Sequence, residues 1–383
     1  MNPPLTPTTL DELAEAVRSA PRVLAIGAHT KPRLSEVGTP GIARPESFIS
    51  SAPSDARRSD SMDKVARIST TRLRGIVEYD PSEFTFTALA GTPIRQISTA
   101  LAERGQHLPF DPMLRDAGAT LGGTVASGLS GPGRFRYGGV RDFILGVRFV
   151  DGTGRLLRMG GKVVKNAAGF DLPKFFVGSL GRFGVLGEIT FKVFPSPADT
   201  LTLRIPTPSG ETAATVLTQM ARSRWELDAL DIPPDGTDVL ARLAGPAPAL
   251  RELAHEILAT FPGEILTEEQ PWPALREFRW AAPGGVLVKI ALSPTGIAPL
   301  LDGVRAIGTS RIHISAGGNV AYVSVPPGDP VSALDQLLQR LALAGVTLWG
   351  IAPLWLGKRA RPAIASAVKL ALDPTNRFPS IDD

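Results

Sequence analysis

Apolar positions follow two spacings along the chain. Near the start, Leu10, Leu13, Ala14 and Val17 recur at helical intervals. Thr8-Thr9 ahead of Asp11-Glu12 gives that segment a capped, acidic first turn, so a helix to about Ser19 is expected. Arg22 to Ile26 reads as a strand running into the loop Gly27-Ala28-His29-Thr30-Lys31. Gly75 to Tyr79 and Phe84 to Leu89 predict two further strands turned by Asp80-Pro81. Pro93 opens a helix from Ile94 to Glu103 that Gly105 stops. Leu145 to Val150 and Arg155 to Leu157 predict a hairpin about Asp151-Gly152-Thr153-Gly154, and Gly187 to Phe194 another strand. Beyond Pro195–Pro197, strands at Gly285 to Leu292, Arg311 to Ser315 and Val320 to Val325 alternate with helices such as Val331 to Leu343. The pattern predicts an α+β chain of two domains, 1–197 and 198–383. Residues 43–62 carry six serines and no hydrophobic period, and are expected to form a mobile insertion.

Composition narrows the chemistry. A chain of 383 residues with 43% hydrophobic and 20% charged residues is globular and long enough for two cores. It contains no cysteine, which excludes disulfides, thiolate metal sites, an iron–sulfur cluster and a cysteine nucleophile. Its four histidines, His29, His107, His255 and His313, are far apart and never spaced as H-x-x-x-H, so no metal site is expected. The net charge of +4 is spread without an aromatic ladder, which argues against nucleic acid as a partner. No basic stretch followed by an apolar run opens the chain, and no apolar run of 18 residues occurs. The expected location is therefore cytoplasmic.

Glycine is unevenly placed. Eighteen of the 39 glycines lie between Gly118 and Glu188, which implies repeated close approach of backbone to a ligand or to other backbone. Neither a G-x-x-x-x-G-K-[ST] loop nor a strand–G-x-G-x-x-G–helix unit is present, since Gly181-x-x-Gly184-x-x-Gly187 leads into a strand. Several loops in tandem remain able to wrap a phosphate-bridged cofactor with main-chain amides.

Seven segments occur in an order that resembles the FAD-binding domain of the vanillyl-alcohol oxidase family, over residues 8–195. They are Tyr79-Asp80-Pro81, Ala90 to Ile94, Gly105 to Pro112, Ala119 to Gly128, Arg136 to Asp142, Lys165 to Leu172 and Gly178 to Glu188. Gly160 to Asn166, the Leu129-Ser130-Gly131-Pro132 run and the chain length are most similar to the FAD-binding subunits of glycolate-oxidase-type complexes. The resemblance implies a two-subdomain PCMH-type FAD-binding domain followed by an α+β cap domain, an antiparallel sheet with helices. It also implies FAD-dependent oxidation of a small hydroxy acid, with a homologous flavoprotein subunit and an iron–sulfur subunit as partners. Peripheral association with the inner membrane face would come only through that complex.

Residue by residue, the resemblance places Gly27, Ala28, His29, Thr30 and Lys31, with Thr120, Gly122, Gly123, Ser127 and Gly128, around the FAD pyrophosphate. Pro109, Tyr137 and Gly138 would lie near the flavin, and Gly184, Val185, Gly187 and Glu188 along its adenine or isoalloxazine side. His29 stands where some relatives bind FAD covalently; the glycolate-oxidase-type subunits do not, so non-covalent FAD is expected. Arg311 and His313 are the candidate catalytic residues, with Lys289 and Arg359 as further cations for a substrate carboxylate. The alternative for His313 is a half-buried strand residue, and that for Lys165 and Asp171 a structural salt bridge. Phe170 stands where the family often has tyrosine, and the tail Asp373 to Pro379 lacks the family's closing Asn-Pro-Gly. Two other readings stay open: a self-sufficient flavoenzyme for another hydroxy acid or alcohol, and a flavin-free scaffold subunit.

Overall fold

The computed structural model describes residues 3–36, 65–161, 171–267, 270–359 and 363–382. The expected insertion at 43–62, and Lys165 with Phe170, lie outside them. Helix α1 (Leu10–Arg18) begins as its sequence predicts. Thr9 Oγ1 accepts from the Glu12 amide, and Glu12 in turn accepts from Thr8 N and Oγ1 at 2.7 and 2.8 Å. Its apolar face, Leu13, Ala14 and Val17, packs with Val23 and Ile68 on a parallel pair of strands, β1 (Arg22–Ile26) and β2 (Val65–Ser69).

The larger part of the first domain is an antiparallel sheet. Strands β3 (Ile76–Asp80) and β4 (Thr85–Leu89) are followed by helix α2 (Ile94–Ala102), β5 (Gln106–His107) and helix α3 (Leu121–Ser127). Then come β6 (Ile144–Val150), β7 (Leu156–Gly160), β8 (Val185–Lys192) and β9 (Phe194–Pro195), giving the order β3-β4-β8-β6-β7. The β6–β7 hairpin is set by Asp151, whose Oδ1 accepts from Thr153 N, Thr153 Oγ1 and Arg155 N.

The second domain carries two antiparallel sheets with helices, the arrangement the resemblance implied. The first has order β11-β12-β10-β13, from β10 (Asp199–Pro206), β11 (Ala229–Asp231), β12 (Asp238–Gly245) and β13 (Glu264–Leu266). The second has order β15-β16-β14-β17-β18, from β14 (Val286–Ala291), β15 (Arg311–Ser315), β16 (Val320–Val325), β17 (Ala344–Trp349) and β18 (Trp355–Gly357). An antiparallel bridge from Ile232 to Ile314 ties the two sheets, which share one core containing Leu203, Val239, Ile290 and Val323. The helix from Val331 stops at Arg340, short of the expected Leu343, because Ala342 turns left-handed at φ 54° and redirects the chain into β17.

Several contacts join the domains. Buried Asp111 of the first domain pairs with Arg242 and, at 3.3 Å, with Arg276 of the second, and Arg242 Nε donates to Asp228 at 2.5 Å. Burial raises the Asp111 pKa, but the two guanidinium groups and the Gly133 amide outweigh it and hold the carboxyl below its usual range. The chain end also crosses back: helix α4 (Ala363–Leu372) and the residues after it lie against the first domain.

Candidate functional site

An open cleft lies in the first domain. Three segments wall it: Gly27 to Lys31 after β1, Thr120 to Ser127 on α3, and Ser179 to Leu186 leading into β8. Each is placed by a local device. Thr120 caps α3 through Gly123 N at 3.2 Å, and the Leu121 and Gly122 amides bond to Thr92 O and Ala90 O, pinning the helix start against β4. Gly122 permits that approach, since a Cβ there would lie 2.8 Å from the Ala90 Cβ. The Leu180 amide donates to Ala126 O at 2.9 Å and ties the third wall to the second.

The walls fit a phosphate-bridged cofactor. No described residue accepts from the main-chain N–H groups of Ala28, His29, Thr30 or Lys31, and His29 is left-handed at φ 55°. Successive free amides about a left-handed residue form an anion-binding concavity. The Ser179 hydroxyl, buried in the third wall, has no hydrogen-bond partner among the described residues, and a buried hydroxyl without one is costly unless a ligand completes it. Lys31 is 7% exposed, with its Nζ 3.0 Å from Thr30 Oγ1. Burial lowers its pKa to about 8. No carboxylate among the described residues pairs with it, so the cleft holds a positive charge awaiting an anion.

The predicted cofactor residues separate into two groups. Gly27, Ala28, His29, Thr30, Lys31, Thr120, Gly122, Gly123, Ser127, Gly184 and Val185 line the cleft. Pro109, Gly128, Tyr137, Gly138, Gly187 and Glu188 do not. Gly187 faces Leu10 on α1, and Glu188 lies 3.6 Å from Arg148 on the sheet. Tyr137 packs edge-on to Phe194 with the Asp228 carboxylate nearby, and Gly138 lies against the Asp142 carboxylate. Sequence reasoning did not pick out Ser179 or Ala126; their signal was only the Gly178 to Glu188 and Ala119 to Gly128 motifs that contain them.

Gly128 marks the edge between cleft and second domain. Its carbonyl accepts from Lys289 Nζ at 2.7 Å, one residue from Ser127 in the cleft wall. Burial, together with the nearby Arg134 charge, lowers the Lys289 pKa to about 8. Tyr322, on the strand beside Lys289, donates to Ser130 O at 3.3 Å, and burial raises its pKa. Among the described residues no carboxylate pairs with Lys289 or Arg134.

The catalytic candidates fall elsewhere. Arg311 is exposed at the start of β15. His313 is not half-buried but wholly buried: its Nε2 meets Asp231 at 2.8 Å, and Asp231 also accepts from Ser315 Oγ and the Ala316 amide. Tertiary packing of β11 on β15 seals this cluster, which strand periodicity alone does not foretell. Arg359 lies over the Trp355 ring and pairs with Asp382, and Asp171 pairs with Lys174 at 2.9 Å while capping a short turn. Among the described residues no His, Asp and Glu cluster could hold a metal ion, and no helix is long and apolar enough to cross a membrane.

Comparison with known proteins agrees with this geometry. Residues 55–160 match the family model described as an FAD binding domain. The chain is 53% identical over 131 residues to glycolate oxidase subunit GlcE of Escherichia coli (strain K12), covering 34% of this chain and 37% of that protein. It is 27% identical over 316 residues to a D-lactate dehydrogenase of Anaerostipes hadrus, covering 74% of this chain and 65% of that protein. The chain thus spans between about a third and two thirds of these relatives' lengths. A solved alkyldihydroxyacetonephosphate synthase shares the fold, with a TM-score of 0.69 at 17% identity, over 98% of this chain and 77% of that one.

Proposed function

Since the chain carries an FAD-binding domain of the PCMH type, we propose that it is the FAD-binding subunit of a glycolate-oxidase-type complex that oxidises a small 2-hydroxy acid. The observation that carries this reading is the cleft itself, with its free amides at Ala28 to Lys31, its unpartnered Ser179 hydroxyl and its anion-seeking Lys31.

FAD held there supplies the acceptor for the two electrons and the hydrogen that leave the alcohol carbon. The amides of Ala28 to Lys31 would donate to its diphosphate, and the Lys31 ammonium would balance the charge. Gly122 and Gly123 let the backbone approach, and Ser179 completes the opposite wall. Lys289 and Arg134, two cations without a carboxylate at the cleft's edge, are the chain's candidates for holding a substrate carboxylate, with the Tyr322 hydroxyl beside them. His313 is wholly buried and neither it nor Asp231 lines the cleft, so the pair fixes the join between the two sheets rather than meeting a substrate hydroxyl. With no cysteine to hold a cluster, electrons that pass beyond the flavin go to an iron–sulfur partner or to another acceptor.

A second reading, a self-sufficient hydroxy-acid dehydrogenase, is favoured by the D-lactate dehydrogenase match, which extends over 74% of the chain and so into the second domain. Anaerobic titration of the purified, flavin-loaded chain separates the two. Bleaching of the visible flavin band by glycolate or D-lactate without partners supports self-sufficiency, and bleaching only with partner subunits supports the complex. A chain that cannot be loaded with FAD refutes both.

A further inference from the structure

Residues 363–382 reach two of the three walls of the cofactor cleft. Arg377 O accepts from Val23 N at 2.8 Å, extending β1, which runs straight into the Gly27 to Lys31 wall. Arg377 Nη1 donates to Val17 O and, at 3.0 Å, to Arg18 O, capping the end of α1. Phe378, 1% exposed, fills the core formed by Leu13, Val17 and Val23. The other wall is reached by Lys369 Nζ, which donates to Arg182 O at 2.7 Å within the Ser179 to Leu186 segment. The same ammonium bonds Asp373 Oδ2 at 2.6 Å and the Phe378 and Pro379 carbonyls at 3.1 Å each. Asp373 closes the knot by accepting from the Arg377 and Phe378 amides at 2.7 and 2.9 Å. Arg182 in turn donates through Nη1 to Leu180 O at 3.0 Å, so the anchored residue braces the wall from inside.

We propose that residues 363–382 form a clasp that sets the spacing of the first and third cleft walls, with Lys369 as its positioning residue, so that cofactor binding and closure of the chain end are coupled. The inference rests on the reading that this cleft takes FAD. An ammonium with four acceptors in a largely buried setting has few alternative geometries, and Lys369 touches the third wall and the tail together. Coupling is reciprocal: if the clasp favours FAD, FAD must favour the clasp by the same factor.

Two measurements on the full chain test it. Hydrogen exchange of the wild type, with and without saturating FAD, is expected to slow by about tenfold at the Arg377 and Phe378 amides, within the usual range of coupling. Lys369→Met, compared with Ser366→Ala on the exposed face of the same helix, is expected to weaken FAD binding by about tenfold. Its circular dichroism should stay unchanged, and its FAD-bound amides in Ser179 to Leu186 should exchange faster. Tail exchange indifferent to FAD, or a folded Lys369→Met with wild-type FAD affinity, overturns the clasp. A wild type that takes no FAD overturns the cleft assignment instead.

Discussion

Lys31→Met separates a charge that serves the cofactor from one that serves the fold. The substitution keeps most of the side-chain volume and removes the ammonium. In the cofactor-free protein Lys31 is 7% exposed and its ammonium is bonded to one hydroxyl, so its charge is a cost that no described carboxylate offsets. Losing it should leave the FAD-free protein as stable as before or more so. Losing a charge-assisted hydrogen bond to the diphosphate removes about 1.5–3 kcal/mol, which at about 1.4 kcal/mol per decade weakens FAD binding roughly 10- to 100-fold. Stability and affinity should therefore move in opposite directions. The pH dependence follows the same sign. With a pKa of about 8 when folded and about 10.4 when unfolded, Lys31 binds more protons in the unfolded chain between those values. The FAD-free wild type thus gains stability as pH rises through that window. FAD affinity does the reverse: it is constant below pH of about 8 and falls by up to about tenfold per unit above it, while the Met variant stays flat. Fluorescence titration with FAD reads the affinity, and riboflavin, which lacks phosphate, is the control. A Met variant that binds FAD as tightly as wild type, or loses riboflavin as much as FAD, refutes the assignment.

Two further outcomes are expected. Asp111→Ala strands the Arg242 guanidinium between the domains with only Asp228 opposite, and should cost about 3–5 kcal/mol in urea unfolding. Because the folded pKa of Asp111 is depressed, its contribution is present above the ordinary carboxylate value and is lost as pH falls through the folded one. His29 is exposed, and among the described residues no carboxylate or other side chain bonds its ring, so acid precipitation of the loaded protein should leave all flavin in the supernatant. Yellow colour in the pellet that His29→Ala abolishes would show a covalent bond.

Much of the fold was legible because its signals are local. The Thr9 cap, the Asp151 turn and the strands β15 and β16 each depend on residues a few positions apart, and they stand in the fold where the sequence puts them. What a linear reading could not supply is which distant segments meet. The chain end looks like a trailing piece of the second domain. Yet Lys369 and Asp373 are buried ions with acceptors and donors on the first domain and on each other, so their only satisfied position is back across the molecule.

The cleft shows the same division. Glycine crowding announced that backbone comes close to something, but glycines in one stretch serve different neighbours. Gly122 clears Ala90 beneath the cleft, whereas Gly187, sixty-five residues later in the same glycine-rich region, clears Leu10 of α1 and never reaches it. Composition cannot tell these apart, because both need the absence of a Cβ and only one faces a ligand. The discriminating signals are polar: an amide or hydroxyl left without a partner, as at Ala28 to Lys31 and Ser179, and a buried charge left without a counter-charge, as at Lys31. Those vacancies arise only once the chain has folded. Glu188 makes the point from the other side, since its carboxylate already faces Arg148 and needs no cofactor to balance it.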